Sequence, residues 1–245
     1  LYDLANDRTE TTDLAAEHPE RVADLSARWE AAARENQVYP LDEGSRLRYV
    51  IRPSYEEPFR EPVRIVAGTH TLERYRSQLL IQFRSFAVDV ELAHRSGDVG
   101  ILVAHGDQGG GYVLYVDDGG ELVFAHNAYG TMRELRGPVL ADGTSTVRAS
   151  VEAPGGWVWH VELSADGQPM GRLEGLPALA AMAPFEGIDI GIDRRSPVSW
   201  DLHERHGTFP YTGTLAAVTY TPGEFAPDAG TNFIDLLREI GLKYE

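Results

Sequence analysis

The spacing of apolar positions changes once along the chain. After Pro19, residues Val22, Leu25, Trp29 and Ala32 recur every three or four positions, which places them on one side of a helix. Proline suits the first helical turn, and Asp24 with Arg28 forms an i, i+4 pair on the polar side, so the pattern predicts one amphipathic helix ending near Asn36. A lone helix cannot bury such a stripe, so it is expected to dock on the following domain or on another. From Arg46 to about Phe225 the period becomes two. "FAVDVELA" sets Phe86, Val88, Val90 and Leu92 on one face, and "WVWHVELSADG" does the same with Trp157, Trp159, Val161 and Leu163 before an Asp166–Gly167 turn. Further short runs, "GILVAH", "YVLYV", "ELVFAH", "GIDIGI" and "TLAAVTY", complete a set of antiparallel strands at close spacing. The fold class expected is mainly β: an antiparallel two-sheet jelly-roll sandwich, preceded by the helix and closed by a short C-terminal helix in "TNFIDLLREIGL".

The stretch "ILVAHGDQGGGYVLYVDDGGELVFAHN" poses a choice, because three consecutive glycines can cradle a phosphate or bend a β scaffold. A phosphate loop needs a helix after it, with N–H groups facing the anion. Here Tyr112 to Val116 alternate as a strand, "DDGG" breaks the run, and Leu122 to Phe124 resume it. The stretch therefore reads as strand, turn, strand.

Composition bounds the partners. The chain has 245 residues, 42% of them apolar, enough for a core, and a formal net charge of −16, which opposes nucleic acid and anionic membrane alike. No apolar window of about 18 residues is present, so no spanning helix is expected. The absence of cysteine excludes disulfides, zinc–thiolate sites and a thiol nucleophile, and leaves the compartment open between cytoplasmic and secreted. Leu1 in place of Met, with no signal-peptide pattern, reads as a fragment or processed product of something longer.

Several residue groups could carry chemistry. Asp89 and Glu91, two apart, share a face as a glycosidase pair would, although a solvated outer face accounts for them better. "DLHERHG" offers His203 and His206 beside Asp201 and Glu204; an ordinary polar loop is favoured, since a metal needs three or four convergent ligands. Asp193, Arg194, Arg195, Ser196 and Asp201 suggest a loop fixed by Asp–Arg pairing, with a rim around a neighbouring active site as the alternative. Trp157 and Trp159 read as core, while Tyr129 and Trp200, next to turn residues, are the candidates for exposed contacts. The candidate ligand-binding set is thus Tyr129, Asp193, Arg195, Trp200 and His203, with no metal or catalytic residue assigned.

The opening "LYDLANDRTETTDLAAEHPERVADLSARWEAAARENQV" resembles the closing strand and C-terminal helix of bacterial arylsulfatases, in which a Tyr-Asp-Leu strand and a "DLA" segment lead into a helix containing Trp. The remainder, through "HVELSADG", "GIDIGIDRRSPVSWD" and "YTGTLAAVTY", resembles the concanavalin- or laminin-G-like jelly roll appended to some of those enzymes. The resemblance implies a leader over 1–45, a lectin-like sandwich over 46–245, and a sulfatase catalytic domain of the same polypeptide as partner. The parent enzyme would use calcium and a formylglycine made within a Cys/Ser-x-Pro-x-Arg motif. That motif is absent from the sequence, so no cofactor and no catalysis are expected of this chain. The function implied is an accessory part of an arylsulfatase-like hydrolase, which supports the enzyme and shapes its entrance for a small sulfate ester or glycan; a carbohydrate-binding module of the same fold is the alternative.

Overall fold

The computed structural model describes residues 1–36, 38, 58–179 and 184–231. A helix begins at residues 229–231, as expected for the C-terminal one; its continuation from residue 232 and the expected boundary at residue 45 lie outside them. The chain divides into two compact units, Leu1–Arg52 and Pro53–Glu245.

In the first unit, carboxylates organise the turns ahead of the helix. Asp3 accepts from the Ala5 N–H and the Asn6 amide, Asp7 accepts from the Thr12 N–H at 2.8 Å, and the Leu1 ammonium pairs with Asp13 at 2.8 Å. Residues 4–6 form a turn and Tyr2 and Asp3 carry no strand, which corrects the Tyr-Asp-Leu strand implied by the resemblance: the side chain of Asp3 bends the backbone back on itself. Helix α1 (Pro19–Glu35) follows, with proline in its first turn, Asn36 as its C-cap, and Asp24–Arg28 and Glu30–Arg34 pairs along it. Of its residues Leu25 and Trp29 are 46% and 52% exposed and Ala33 is buried.

The second unit is an antiparallel sandwich. Its elements are β1 (Val63–Val66), α2 (Arg74–Leu79), β2 (Arg84–Ala93), β3 (Gly100–Asp107), β4 (Gly110–Val116), β5 (Glu121–Ala128), β6 (Thr131–Val139), β7 (Thr146–Gly155), β8 (Val158–Ala165), β9 (Gln168–Pro177), β10 (Ile188–Ile190), α3 (Trp200–His206) and β11 (Thr214–Phe225). Six strands form one sheet in the order β1-β11-β2-β7-β8-β9, and five form the other in the order β10-β3-β4-β5-β6. The alternating residues of β2 and β8 point inward as their period demands, and Phe86 meets Trp159 edge-on at 5.2 Å, while within the five-stranded sheet Tyr112 stacks on Phe124 at 5.2 Å. Burying a ring system such as Trp159 contributes about 5 kcal/mol at most, taking ~200 Å² of apolar area. Trp157 departs from the expectation. It lies in the β7–β8 turn with φ +59° and is 37% exposed, because Gly155 and Gly156 ahead of it also take positive φ and finish the turn one residue late.

The glycine stretch is a hairpin between β3 and β4, with no helix after it. Gly106 and Gly111 face one another in register, and a Cβ on Gly111 would run into the backbone of both His105 and Gly106. Backbone proximity, rather than anion binding, is what the glycine provides here.

Candidate functional site

The site is built around α2, which the buried core holds in place. His105 on β3 is fully buried, its Nδ1 3.2 Å from the Tyr112 hydroxyl and its Nε2 3.2 Å from Ser77 Oγ on α2; Tyr112 in turn donates to the Tyr220 hydroxyl of β11 at 3.0 Å. Burial drives the His105 ring down to a pKa of about 3, so it is neutral. This chain of hydrogen bonds ties α2 to both sheets. Glu73 caps α2 by accepting from the Tyr75 and Arg76 N–H groups and pairs with Arg76 Nε at 2.7 Å.

Beside α2 lies a cleft of about 550 Å³, lined by Thr71, Glu73, Arg74 and Tyr75 on one side and by Phe185, Glu186, Gly187 and Arg195 on the other. The two sides are more than a hundred residues apart in sequence and meet through the antiparallel bridge Leu72–Ile188. Gly187 sits so close to the Leu72 carbonyl that a Cβ there would collide with it, which explains the glycine. The guanidinium of Arg74 lies 4.4 Å from the Phe185 ring centroid and 4.9 Å from that of Tyr75. Behind the cleft, Asp189 accepts from Thr71 Oγ1 at 2.6 Å and from the Arg194 backbone and guanidinium at 2.8 and 3.0 Å. Asp107 accepts from the Gly109 and Glu186 N–H groups, so the glycine hairpin buttresses the same corner.

The electrostatics are tense. Burial pushes the Asp193 carboxyl up to about 7, with the nearby carboxylates of Asp189, Glu186 and Asp107 adding to the effect and the Val198 N–H, donating at 2.9 Å, opposing it. Burial raises Glu186 as well, and Arg195 works against that rise. Among the described residues no three His, Asp or Glu side chains are placed to hold a metal ion.

Of the residues singled out in sequence, Arg195 lines the cleft, with φ +61° turning its loop. Asp193 is buried behind it and holds Val198; the Asp–Arg pairing expected of this loop is made by Asp189 with Arg194. Trp200 and Tyr129 are 51% and 62% exposed, outside the cleft lining, on segments joined where Asn127 Nδ2 donates to the Val198 carbonyl at 2.9 Å. His203 and His206 lie on a helix, α3, and not in a loop, because Ser199 Oγ accepts from the Leu202 N–H and caps it. Their rings go separate ways: His203 meets Trp200 at 5.5 Å, while His206 stacks on Phe209 at 4.1 Å and lies 3.4 Å from Asp118. Asp89 and Glu91 are each paired with arginine, Arg148 and Arg64, on the outer sheet face. Sequence reasoning missed Thr71, Arg74, Tyr75, Phe185 and Glu186. The signal available was "ERYR", an acidic cap ahead of arginines interleaved with an aromatic, but nothing local indicated its distant partner.

No family model matches the chain, and no curated protein matches it. Among solved structures it is similar to the CBM40 domain of the Ruminococcus gnavus IT-sialidase bound to α2,3-sialyllactose, at 12% identity over 69% of this chain and 92% of that one, with a TM-score of 0.44. It is similar also to the Caenorhabditis elegans galectin LEC-6, at 11% identity over 68% and 98% with a TM-score of 0.40, and to mouse laminin α1 domains LG4-5, at 12% identity over 66% and 39% with a TM-score of 0.38.

Proposed function

We propose that the sandwich is a non-catalytic glycan-binding module whose cleft at Arg74 and Arg195 takes an acidic saccharide. The observation that carries this reading is the composition of the cleft: two guanidiniums, two aromatic rings and a hydroxyl around about 550 Å³, with its two carboxylates accounted for in part, since Glu73 is engaged by Arg76 and the α2 N–H groups and burial favours the neutral form of Glu186. Guanidinium forks match carboxylate and sulfate oxygens, and Arg74 is held in the cleft by lying over the Tyr75 and Phe185 rings. The chain's net charge of −16 repels anions at long range, yet beyond about 8 Å that field is screened at physiological salt, so the local arginines decide binding. Calorimetric titration with sulfated and uronic disaccharides tests the reading against their neutral counterparts. Saturable binding of the acidic sugars, weakened at least about tenfold by Arg195→Ala, a loss of about 1.4 kcal/mol, supports it; equal binding of the neutral sugars contradicts it.

A second reading places this module in an arylsulfatase-type hydrolase, as an accessory region packed on a catalytic domain. Its support is the resemblance of residues 1–38, which fall within the separate compact unit Leu1–Arg52. The encoded sequence upstream of Leu1 tests it, since a Cys/Ser-x-Pro-x-Arg motif is required there. The two readings are compatible, because a sulfated sugar would be both ligand and substrate class.

A further inference from the structure

Glu186 is held at a fixed place in the lining of the cleft. Its backbone N–H donates to Asp107 Oδ2 at 3.1 Å, and the next residue, Gly187, is wedged against the Leu72 carbonyl while its own carbonyl accepts from the Gly106 N–H at 3.1 Å. The backbone on this side of the cleft is thus pinned, and the half-buried carboxyl stays among the lining residues.

Charged neighbours reach it from each segment around it. From the β10–β11 connection, Arg195 and the Ser196 N–H favour its ionised form, whereas Asp107 of β3 and Asp189 of β10 oppose it. The buried Asp193, behind the cleft, repels it in the same way. On the α2 side, Glu73 is engaged by Arg76 and by two N–H groups, and Arg74 lies over the Tyr75 and Phe185 rings. Asp189 already takes the Arg194 guanidinium. Arg195 is therefore the cation set against the charge of Glu186. Burial, with the like charges beside it, raises this carboxyl above the ordinary glutamate value, so it holds its proton more tightly than an exposed glutamate does.

Ionised, Glu186 offsets the field of Arg195 and repels an incoming anion. Protonated, it does neither, and its O–H becomes a donor beside the guanidinium. The coupling is reciprocal: an anion bound next to Glu186 strengthens its hold on the proton by as much as the proton strengthens the anion.

Resting on the reading of the cleft as a receptor for an acidic saccharide, we propose that Glu186 is its charge gate: the anionic group of the ligand settles beside Arg195 together with a proton taken by Glu186 from solvent, so that the cleft loads in mild acid and releases as pH rises.

The test is calorimetric titration of the full chain with a sulfated disaccharide at about pH 5 and about pH 8 and at one salt concentration, in two buffers of different ionisation enthalpy so that proton uptake is counted. The parent is expected to bind at least about tenfold more tightly at the lower pH, with net proton uptake on binding. Glu186→Gln is neutral and still a donor, and is expected to bind at the higher pH as the parent does at the lower one, varying less than about threefold between them. Should that variant melt early, the carboxyl carbon resonance of Glu186 in the parent decides, since saturating disaccharide is expected to move its titration midpoint upward. Asp193→Asn is expected to keep the pH dependence; its loss there, with retention in Glu186→Gln, assigns the proton to Asp193 and overturns the proposal. Equal affinity of the parent at both pH values, a dependence undiminished in Glu186→Gln, or a Glu186 midpoint that the ligand leaves in place would overturn the gate alone and leave the acidic-saccharide reading standing. No binding of the sulfated disaccharide at either pH, by parent or variant, overturns both.

Discussion

The two sheets of the sandwich treat their outer faces in opposite ways. The six-stranded sheet turns its outer face to solvent and covers it with ion pairs: Arg64 with Glu91, Arg148 with Asp89, and Arg172 with Glu162 and Glu174. In the five-stranded sheet β3, β4 and β5 are buried on both faces, since Ile101, Val113, Tyr115, Val123 and Ala125 are sealed beneath Val198, Leu202 and Phe209 of the β10–β11 connection. The difference explains the sequence. Strands of the first sheet alternate polar and apolar, while β3 and β4 read as unbroken apolar runs. It also locates the site: the connection that seals the second sheet is the one that carries Arg195 to the cleft.

The largest effect should come from uncovering the sealed face. Phe209→Ala removes a ring packed on Tyr115 and on His206, and is expected to cost about 3–5 kcal/mol in chemical denaturation. If it costs less than about 1 kcal/mol, the connection is not a lid on the sheet.

Next in size is a pH effect at Asp193, under the same connection. Its carboxyl is held at about 7 in the folded chain against an ordinary value of 3.8, so the folded state binds the proton more tightly. Its contribution to stability is present below about pH 4 and is lost as pH rises to 7 and above. Asp193→Asn keeps an oxygen for the Val198 N–H and removes the titration. The variant should therefore gain on the parent by about 2–4 kcal/mol between pH 4 and 8, at ~1.4 kcal/mol per pKa unit. His105 acts with the opposite sign: its value of about 3 lies below the ordinary 6.5, so stability is lost as pH falls from 6.5 toward 3, in parent and variant alike. An advantage for Asp193→Asn that stays flat with pH would remove Asp193 from the account.

Gly187→Ala should cost about 1–3 kcal/mol by forcing the Leu72 and Ile188 segments apart, and should also weaken ligand binding in the cleft they frame. The smallest effect belongs to the solvated sheet. Arg148→Ala, which loses an exposed pair to Asp89, should change stability by no more than about 1 kcal/mol. A cost as large as that of Phe209→Ala would erase the contrast between the two faces.

What the sequence revealed follows the same division. The inward sets of β2 and β8, the helix from Pro19 and the hairpin after Asp107 were legible because period and turn chemistry are local. Trp157 was misplaced because two glycines with positive φ lengthened its turn beyond what alternation can signal. Helix α3 was hidden in seven residues rich in charge and histidine, too short for a helical period, with only Ser199 as a cap. The cleft was out of reach for a different reason: Arg74 and Phe185 come together through strand pairing across more than a hundred residues, and Arg195 alone of its lining stood out as a loop residue.

The central claim is that Arg74 and Arg195 make the cleft a receptor for acidic sugar, and the most direct measurement is a calorimetric titration of the full chain with a sulfated disaccharide and its desulfated twin. The account predicts saturable binding of the sulfated sugar, weakened at least about tenfold by Arg195→Ala and further by Arg74→Ala with Arg195→Ala, and little binding of the twin. Binding of both sugars with one affinity, or binding untouched by the double substitution, would contradict it.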